Sequence, residues 1–252
     1  MRENLVINPN YAQLQSALKN NLLNFEEIGE YVTKGERNVI KKIHLDGINY
    51  NIKKFKTPNF FQSFIYQYFR KSKASRSFQY ASKLSALGIG TPKPIAYLEL
   101  FSFGLKESFY VSEHLDYDFD FRDLIHKPNF EDREEILKQF SNFTFRLHEN
   151  GVNFLDHSPG NTLIKKVGEN KFDFYLIDLN RMRFETMTFE KRMHNFRRLW
   201  PSKTMVKIMA TEYAQLYNTN VSETYEFMLK YSREFQKKVN SKKLRKRKKR
   251  FS

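Results

Sequence analysis

The first half of the chain places apolar and polar residues alternately in short runs, which is typical of β-strands with one buried face. Five such runs predict strands at about 26–33, 38–45, 48–56, 95–101 and 108–115. Asp46-Gly47, between the second and third runs, is typical of a tight hairpin turn. Apolar residues at helical spacing predict a helix over 74–87 and a short one over 10–23. This half is therefore expected to form an antiparallel sheet with one inserted helix.

The second half is patterned mainly for helices. Residues 131–149 carry an apolar stripe at helical spacing. The other predicted elements are a short helix at 119–126, strands at 161–166 and 171–178, and helices at about 189–199, 203–216 and 222–238. A β-rich half followed by an α-rich half indicates an α+β protein with two lobes. We expect an N-terminal lobe at 1–113, a helical C-terminal lobe at 114–236 and a disordered basic tail at 237–252.

Composition excludes several classes of protein. The chain has 252 residues and no cysteine, which excludes disulfide scaffolds, zinc–cysteine sites and thiol nucleophiles. Hydrophobic residues make up 40% of the chain, enough for a folded core. There is no apolar run of membrane-spanning length and no secretory signal at the N-terminus. We expect a cytoplasmic protein, either soluble or peripheral on the inner membrane.

Positive charge is concentrated at the C-terminus. The formal net charge is +16, and residues 237–252 contain ten Lys or Arg and no acid, which leaves 16 − 10 = +6 for residues 1–236. Like-charge repulsion predicts an extended tail. Three interpretations are open: contact with an anionic membrane, nucleic-acid binding and simple solvation. Nucleic acid ranks last because the body of the chain has no aromatic-basic recognition motif.

Two polar segments follow apolar runs in the second half and could carry chemistry. Asp156 follows Phe-Leu, Asn161 comes five residues later, and Asp178 ends a predicted buried strand. Asp-x-x-x-x-Asn followed by a second Asp is the pattern of a kinase catalytic loop and its metal ligands. Asp156 would accept a hydroxyl proton, and Asn161 and Asp178 would supply oxygen ligands to magnesium. We expect His148 to pack at a helix end, and His157 either to contact substrate or to orient the loop.

Phosphoryl transfer also needs a cation on the nucleotide phosphates, and the third predicted strand offers one. Lys53 matches the strand lysine of the kinase pattern, with Lys54 as a rival by one residue. The preceding hairpin tip occupies the place of a phosphate-binding loop but has a single glycine. Lys34 or Arg37 at that tip could contact phosphate as a point charge.

With these residues assembled, the chain resembles the lipopolysaccharide kinases, the Kdo and heptose kinases of Gram-negative cell-envelope synthesis. The resemblance covers roughly residues 28–216. The segments that carry it are NIKKFK at 51–56, SKASRSFQYASKLSALGIGTPKPIAYLE at 72–99, FYVSEHL at 109–115, LHENGVNFLDHSPGN at 147–161 and YLIDLNRMRF at 175–184.

The resemblance implies a bilobal protein-kinase-like fold with ATP between the lobes and adenine near Glu113–Leu115. It further implies that Lys53 holds the α- and β-phosphates, that Asp156 is the base, and that Asn161 and Asp178 bind Mg²⁺. The implied acceptor is a hydroxyl of a Kdo or heptose sugar in the inner core of lipopolysaccharide. Because that acceptor is lipid-linked and made at the cytoplasmic leaflet, the basic tail would lie near anionic lipid.

One departure from the kinase pattern leaves an alternative open. The helix at 74–87 contains no acid that could pair with Lys53. Either the partner comes from elsewhere, with Glu36 as a candidate, or a neutral residue such as Ser77 or Gln79 holds the lysine. A kinase-fold pseudoenzyme or binding module is therefore the alternative to an active kinase.

Overall fold

The computed structural model describes residues 2–35 and 38–248, and these residues divide into two compact units. The first unit comprises the described residues up to Asp116 together with Asp178–Asn180. The second comprises Tyr117–Ile177 and the described residues from Arg181 onward. Each unit has its own core.

The first unit is built on an antiparallel sheet. Its strands are β1 (Arg2–Ile7), β2 (Glu30–Lys34), β3 (Asn38–Leu45), β4 (Ile48–Phe55), β5 (Pro94–Phe101) and β6 (Leu105–Glu113). Its α-helices are α1 (Gln15–Leu23), α2 (Phe60–Tyr68) and α3 (Lys73–Ala86), and a 3₁₀ helix at Pro9–Leu14 precedes α1. The strand order is β1-β5-β6-β4-β3-β2.

The fold class is confirmed, but the expectation of five strands and one helix is wrong. The sixth strand, β1, pairs antiparallel with β5 along its whole length. Because β5 is buried at every residue, an uncovered edge there would leave buried backbone groups without partners. The sequence of β1 is too short to reveal this pairing. The helix expected over 10–23 forms in two parts, 3₁₀ and then α, and α2 is a third helix that the pattern did not predict.

Side-chain alternation on β4 separates two apolar layers. Tyr50 and Ile52 belong to the layer that packs against α1. Phe55 belongs to the opposite layer, with Ala74 of α3 and Tyr97 of β5. Since neighbouring residues of a strand point to opposite faces, this parity also fixes where the charged residues of β4 lie.

The second unit is mainly helical. Its helices are α4 (Phe121–His126), α5 (Arg133–Glu149), α6 (Phe189–Asn195), α7 (Lys203–Tyr217) and α8 (Val221–Lys248), with 3₁₀ turns at Pro159–Asn161 and Phe196–Leu199. Its strands are β7 (Phe119–Asp120), β8 (Val152–Phe154), β9 (Thr162–Gly168), β10 (Lys171–Leu176) and β11 (Met182–Phe184). They form two small antiparallel sheets, β10-β9-β7 and β11-β8. The apolar stripe of α5 is buried and forms the centre of this unit.

The C-terminal basic segment differs from the extended tail that its charge predicts. Its described part, 237–248, continues α8 as a helix. Lys and Arg are good helix formers, and cations near a helix C-terminus interact favourably with the helix dipole. Earlier in α8, Met228 and Ser232 are fully buried and anchor the helix. None of the described helices has the length and hydrophobicity needed to cross a membrane.

Candidate functional site

A lysine–carboxylate ion pair joins β4 to the short segment that follows β10. Lys53 Nζ donates to Asp178 Oδ1 at 2.9 Å, although the two residues are 125 positions apart in the chain. The lysine side chain is only 14% exposed and the aspartate 30%. The phenyl ring of Phe55 lies 5.3 Å from the ammonium on the same face of the strand. Two residues that the sequence selected independently are therefore in direct contact.

The rival lysine has a different environment. Lys54 points to the opposite face of β4, where its ammonium lies 2.9 Å from Glu26 and 2.8 Å from Glu107. Burial lowers the pKa of Lys54, but the hydrogen bonds that its ammonium donates to these carboxylates outweigh burial, and the pKa is raised. Its charge is thus neutralised by two acids of the first unit.

The segment Asp178–Asn180 is held in an unusual conformation. Asp178 has φ = 57°, in the left-handed region that costs a residue with a Cβ about 1 kcal/mol or more. Asn180 Nδ2 donates to Asp178 Oδ1 at 2.6 Å, and Arg76 of α3 donates to the Asn180 carbonyl at 2.7 Å. Backbone strain that is locked by side-chain bonds is common at functional sites.

The structure places the proposed partners of Lys53 as follows. Asp178 itself is the carboxylate that contacts the lysine. Ser77 is buried in α3, and Gln79 bonds to Lys71 and Ser75. Glu36, like the candidate phosphate contact Arg37, lies outside the described residues.

The remaining nucleotide candidates of the first unit have other contacts. Lys34 is the last residue of β2, whose residues are all exposed, and its ammonium lies 4.9 Å from the ring of Tyr31. The Glu113 carboxylate accepts a hydrogen bond from the Tyr11 hydroxyl at 2.7 Å. Leu115 is half-buried just after β6.

In the second unit, Asp156 lies in a tight turn after β8. Its carbonyl accepts from the Ser158 amide at 2.7 Å and from Asn161 Nδ2 at 2.9 Å. The Asn161 carbonyl in turn accepts from the amide of Ile177 at 3.0 Å, and Asp178 is the next residue of the chain. Since the amide nitrogen of the Asn161 side chain is bonded to Asp156, its Oδ1 is the atom left for a ligand.

Arg198 contacts Asp156, a pairing that no motif in the sequence indicated. Arg198 Nη2 lies 2.6 Å from Asp156 Oδ1. The guanidinium lies 5.4 Å from the ring of Phe235 in α8, and Phe235 also packs edge-on against Trp200. Arg198 has no regular spacing from Asp156 in the chain, so only the fold reveals the pair. Among the described residues, Asp156 Oδ2 has no hydrogen-bond partner.

An uncharged hydrogen-bond network lies beneath the Asp156 turn. Asn195 Nδ2 donates to the Phe154 carbonyl at 3.0 Å, which fixes the orientation of the amide. Asn195 Oδ1 must then accept from His157 Nδ1 at 3.0 Å and from His148 Nε2 at 3.2 Å. His148 Nδ1 consequently accepts from the Tyr213 hydroxyl at 2.8 Å. His157 is fully buried, so it orients the loop.

Burial keeps both histidines of this network neutral. Desolvation lowers the pKa of His157 to about 4, against the opposing effect of its bond to Asn195. The same cause lowers the pKa of His148 to about 3. The support under Asp156 is therefore uncharged at neutral pH, and the geometry of the turn does not depend on a titrating group there.

Among the described residues, no cluster of three or more His, Asp or Glu side chains could hold a metal ion by itself. The two predicted metal ligands, Asp178 and Asn161, are therefore not part of such a cluster.

Comparisons with known proteins identify the family. The family model of the lipopolysaccharide kinase (Kdo/WaaP) family matches residues 16–220, most of the chain. The chain belongs to the lipopolysaccharide kinase family. The match contains the ion pair, the Asp156 turn and Arg198, and it ends just before α8.

A solved structure described as WaaP in complex with acyl carrier protein is similar in fold to this family member. The TM-score is 0.64 at 19% sequence identity, and the match covers 94% of this chain and 99% of that one. At this identity the similarity concerns the fold. No curated protein matches the chain significantly.

Proposed function

We propose that this lipopolysaccharide kinase transfers the γ-phosphate of ATP to a hydroxyl of a Kdo or heptose sugar in the inner core of lipopolysaccharide. The observation that carries the proposal is the Lys53–Asp178 ion pair, which joins the strand lysine to the carboxylate after β10. These residue types in these places are the phosphate contact and metal ligand of kinase chemistry. Family membership supports the reaction class.

Lys53, Asp178 and Asn161 are the proposed contacts of the nucleotide and its magnesium ion. Lys53 would contact the α- and β-phosphates, and the Asp178 carboxylate and Asn161 Oδ1 would bind Mg²⁺. Magnesium bound to nucleotide phosphates needs only one or two protein ligands, so the absence of an acidic cluster from the described residues fits this ion. When bound, Mg²⁺-ATP supplies the phosphoryl group and neutralises charge that develops on it.

Asp156 is the proposed base. Its Oδ1 is ion-paired with Arg198, and Oδ2 would accept the proton of the sugar hydroxyl. Arg198 is a positioning residue in this scheme, because its ion pair at 2.6 Å favours one orientation of the carboxylate. The neutral network of Asn195 keeps the turn itself in place.

Three further nucleotide contacts remain proposals. Adenine would bind along Glu113–Leu115, mainly through backbone groups, since the Glu113 carboxylate is bonded to Tyr11. Lys34 and Arg37 would contact phosphate from the β2–β3 hairpin.

The proposed partners follow from the acceptor. A lipid-linked Kdo or heptose acceptor would bring the kinase to the cytoplasmic face of the inner membrane, where the basic end of α8 would contact anionic lipid. The similar WaaP structure contains acyl carrier protein, and we propose the same protein as a binding partner here.

Purified full-length protein tests the function directly. We expect ATP- and Mg²⁺-dependent addition of one phosphate to a Kdo-lipid A or heptosylated acceptor, seen by mass spectrometry. Asp156→Ala should reduce turnover by roughly 10²–10⁴-fold, the usual effect of removing a positioned acid–base group. Unchanged turnover in this variant would show that Asp156 is not the base. Lipid A–core from cells with and without the protein should differ by one phosphate on the same sugar.

A kinase-fold binding module is the second candidate, because α3 has no acid and Lys53 is paired with Asp178 instead. The two candidates differ in their response to Mg²⁺-ATP. A kinase should gain about 2.7 kcal/mol of stability at a nucleotide concentration 100 times Kd, measured by thermal shift. No shift together with no phosphate transfer would favour the binding module.

A further inference from the structure

The helix α2 exposes its apolar side chains to solvent. Phe60, Phe61 and Tyr68 are 78%, 79% and 61% exposed, and no residue of α2 is buried. The half-buried side chains of the helix are those of Ser63, Tyr66 and Gln67. This is the reverse of a water-soluble amphipathic helix, whose apolar stripe faces the core.

The exposed rings continue beyond the helix. Phe69, directly after α2, is 78% exposed, and its ring lies 6.4 Å from that of Phe64. Phe103, in the turn between β5 and β6, is 93% exposed. That turn is fixed to α2 because Ser63 Oγ donates to the Leu105 carbonyl at 2.8 Å.

The turn also requires a glycine where it meets the helix. Gly104 has φ = 149°, and a Cβ at that position would lie 2.3 Å from Ser63 Oγ. The close approach keeps the turn that carries Phe103 beside α2. We call the set formed by Phe60, Phe61, Phe64, Tyr68, Phe69 and Phe103 the aromatic patch.

Positive charge predominates in the chain around the aromatic patch, although Glu3 and Glu99 line one pocket together with Tyr68 and Phe69. From Lys56 to Leu98 the chain contains seven Lys or Arg and no acid. Lys56, Arg70 and Lys71 are exposed at the two ends of α2. Large exposed apolar patches mark interaction surfaces, and the basic surround selects an anionic one.

We propose that the aromatic patch inserts into the interface of an anionic lipid bilayer. A short helix with aromatic side chains on one side and basic residues at its ends is typical of proteins that lie in the membrane interface. Contact through the basic end of α8 would be electrostatic only, whereas α2 buries apolar rings. The proposal concerns a surface separate from the phosphoryl-transfer residues and does not depend on which sugar is phosphorylated.

Co-sedimentation of the full-length protein with vesicles tests the proposal. Vesicles of phosphatidylcholine alone are compared with vesicles that also contain phosphatidylglycerol, without nucleotide or acceptor. We expect binding to the anionic vesicles, and a loss of about tenfold or more in affinity for the triple variant Phe60→Ser, Phe61→Ser, Phe64→Ser. A matched control, Val32→Ser with Val167→Ser, removes exposed apolar side chains elsewhere and should bind normally. Circular dichroism establishes that each variant is folded.

Fluorescence provides an independent measurement. The protein has one tryptophan, Trp200, in the second unit. Phe61→Trp should add an emission that shifts to the blue with anionic vesicles and is quenched by brominated lipid, while the wild-type Trp200 signal reports the background. The absence of both changes would overturn insertion.

Other outcomes distinguish membrane insertion from protein docking and from electrostatic contact through residues 237–252. If the triple variant binds vesicles normally but fails to bind purified acyl carrier protein, the patch is a protein-docking surface and the proposal is wrong. If only deletion of 237–252 abolishes vesicle binding, contact is electrostatic and insertion is again excluded. Phosphate transfer to a detergent-solubilised acceptor should be normal in the triple variant. Vesicle binding without any phosphate transfer by the wild type would instead contradict the proposed function alone.

Discussion

The two candidate carboxylates are supported in different ways. Asp178, in the first unit, has a lysine on its carboxylate, and an arginine donates to the carbonyl of Asn180 in the same segment. Asp156, in the second unit, has one arginine on its carboxylate, but its turn rests on a buried network of neutral histidine and asparagine side chains. Both carboxylates are ion-paired, and they differ in whether charged or neutral side chains support the backbone around them.

The difference matches the tasks proposed for the two residues. A metal ligand and a phosphate contact must exchange partners when nucleotide binds, and an ionic contact between partly exposed groups is inexpensive to exchange. A base must keep one position through the reaction, and a neutral network excluded from water gives it a fixed geometry. Three measurements test this difference.

The largest effect is expected from Lys53, the partner of Asp178. Lys53→Met should reduce kcat/KM by roughly 10²–10³-fold, the usual effect of losing one electrostatic contact to the reacting group. Lys54→Met is the matched control, since that ammonium lies on the opposite face with Glu26 and Glu107, and it should change kcat/KM by less than about threefold. Steady-state kinetics on both variants checks this. Equal losses in the two variants would mean that strand parity does not select the phosphate contact.

A smaller effect is expected from the arginine on Asp156. Arg198→Met should lower kcat by about tenfold and leave KM for ATP unchanged, because a misoriented base slows the chemical step without changing nucleotide binding. Arg198→Lys should recover only part of the loss, since lysine cannot reproduce the planar guanidinium that also lies on Phe235. A raised KM with normal kcat would instead assign Arg198 to substrate binding.

The third measurement concerns stability and separates the neutral network from the ionic segment. His157 and His148 have pKa values of about 4 and 3 in the folded protein and about 6.5 when unfolded. The unfolded chain therefore binds more protons below pH 6.5, and stability is lost as the pH falls through that value. Each histidine should remove about 2 kcal/mol from the free energy of unfolding between pH 7.5 and pH 5.

Urea denaturation at pH 7.5, 6.0 and 5.0 measures this loss. Asp123 illustrates the opposite shift, because its hydrogen bond to Lys127 lowers the pKa of the carboxyl. A free energy of unfolding that stays constant from pH 7.5 to pH 5 would show that the two histidines are not neutral and buried.

Much of this architecture follows from local pattern. Alternation and the Asp46-Gly47 turn predicted strands β3 and β4 nearly to the residue, and helical spacing predicted α3 and α5. Local periodicity reports which face of an element is buried, and this information lies within one segment. The sequence pattern did not predict strand β1 or helix α2, for two different reasons. The first is defined by its pairing with β5, and the second has its apolar residues turned outward.

The sequence by itself determined the chemistry available: a carboxylate and an amide five residues apart, a second carboxylate after an apolar strand, and two adjacent lysines. It also determined family membership, because the family model matches residues 16–220, which include those motifs. Only the tertiary structure decided that Lys53 contacts Asp178 and Lys54 does not, that Arg198 lies on Asp156, and that α2 faces outward. Such contacts join residues far apart in the chain, and their distances depend on how strands and helices pack, which no local pattern encodes.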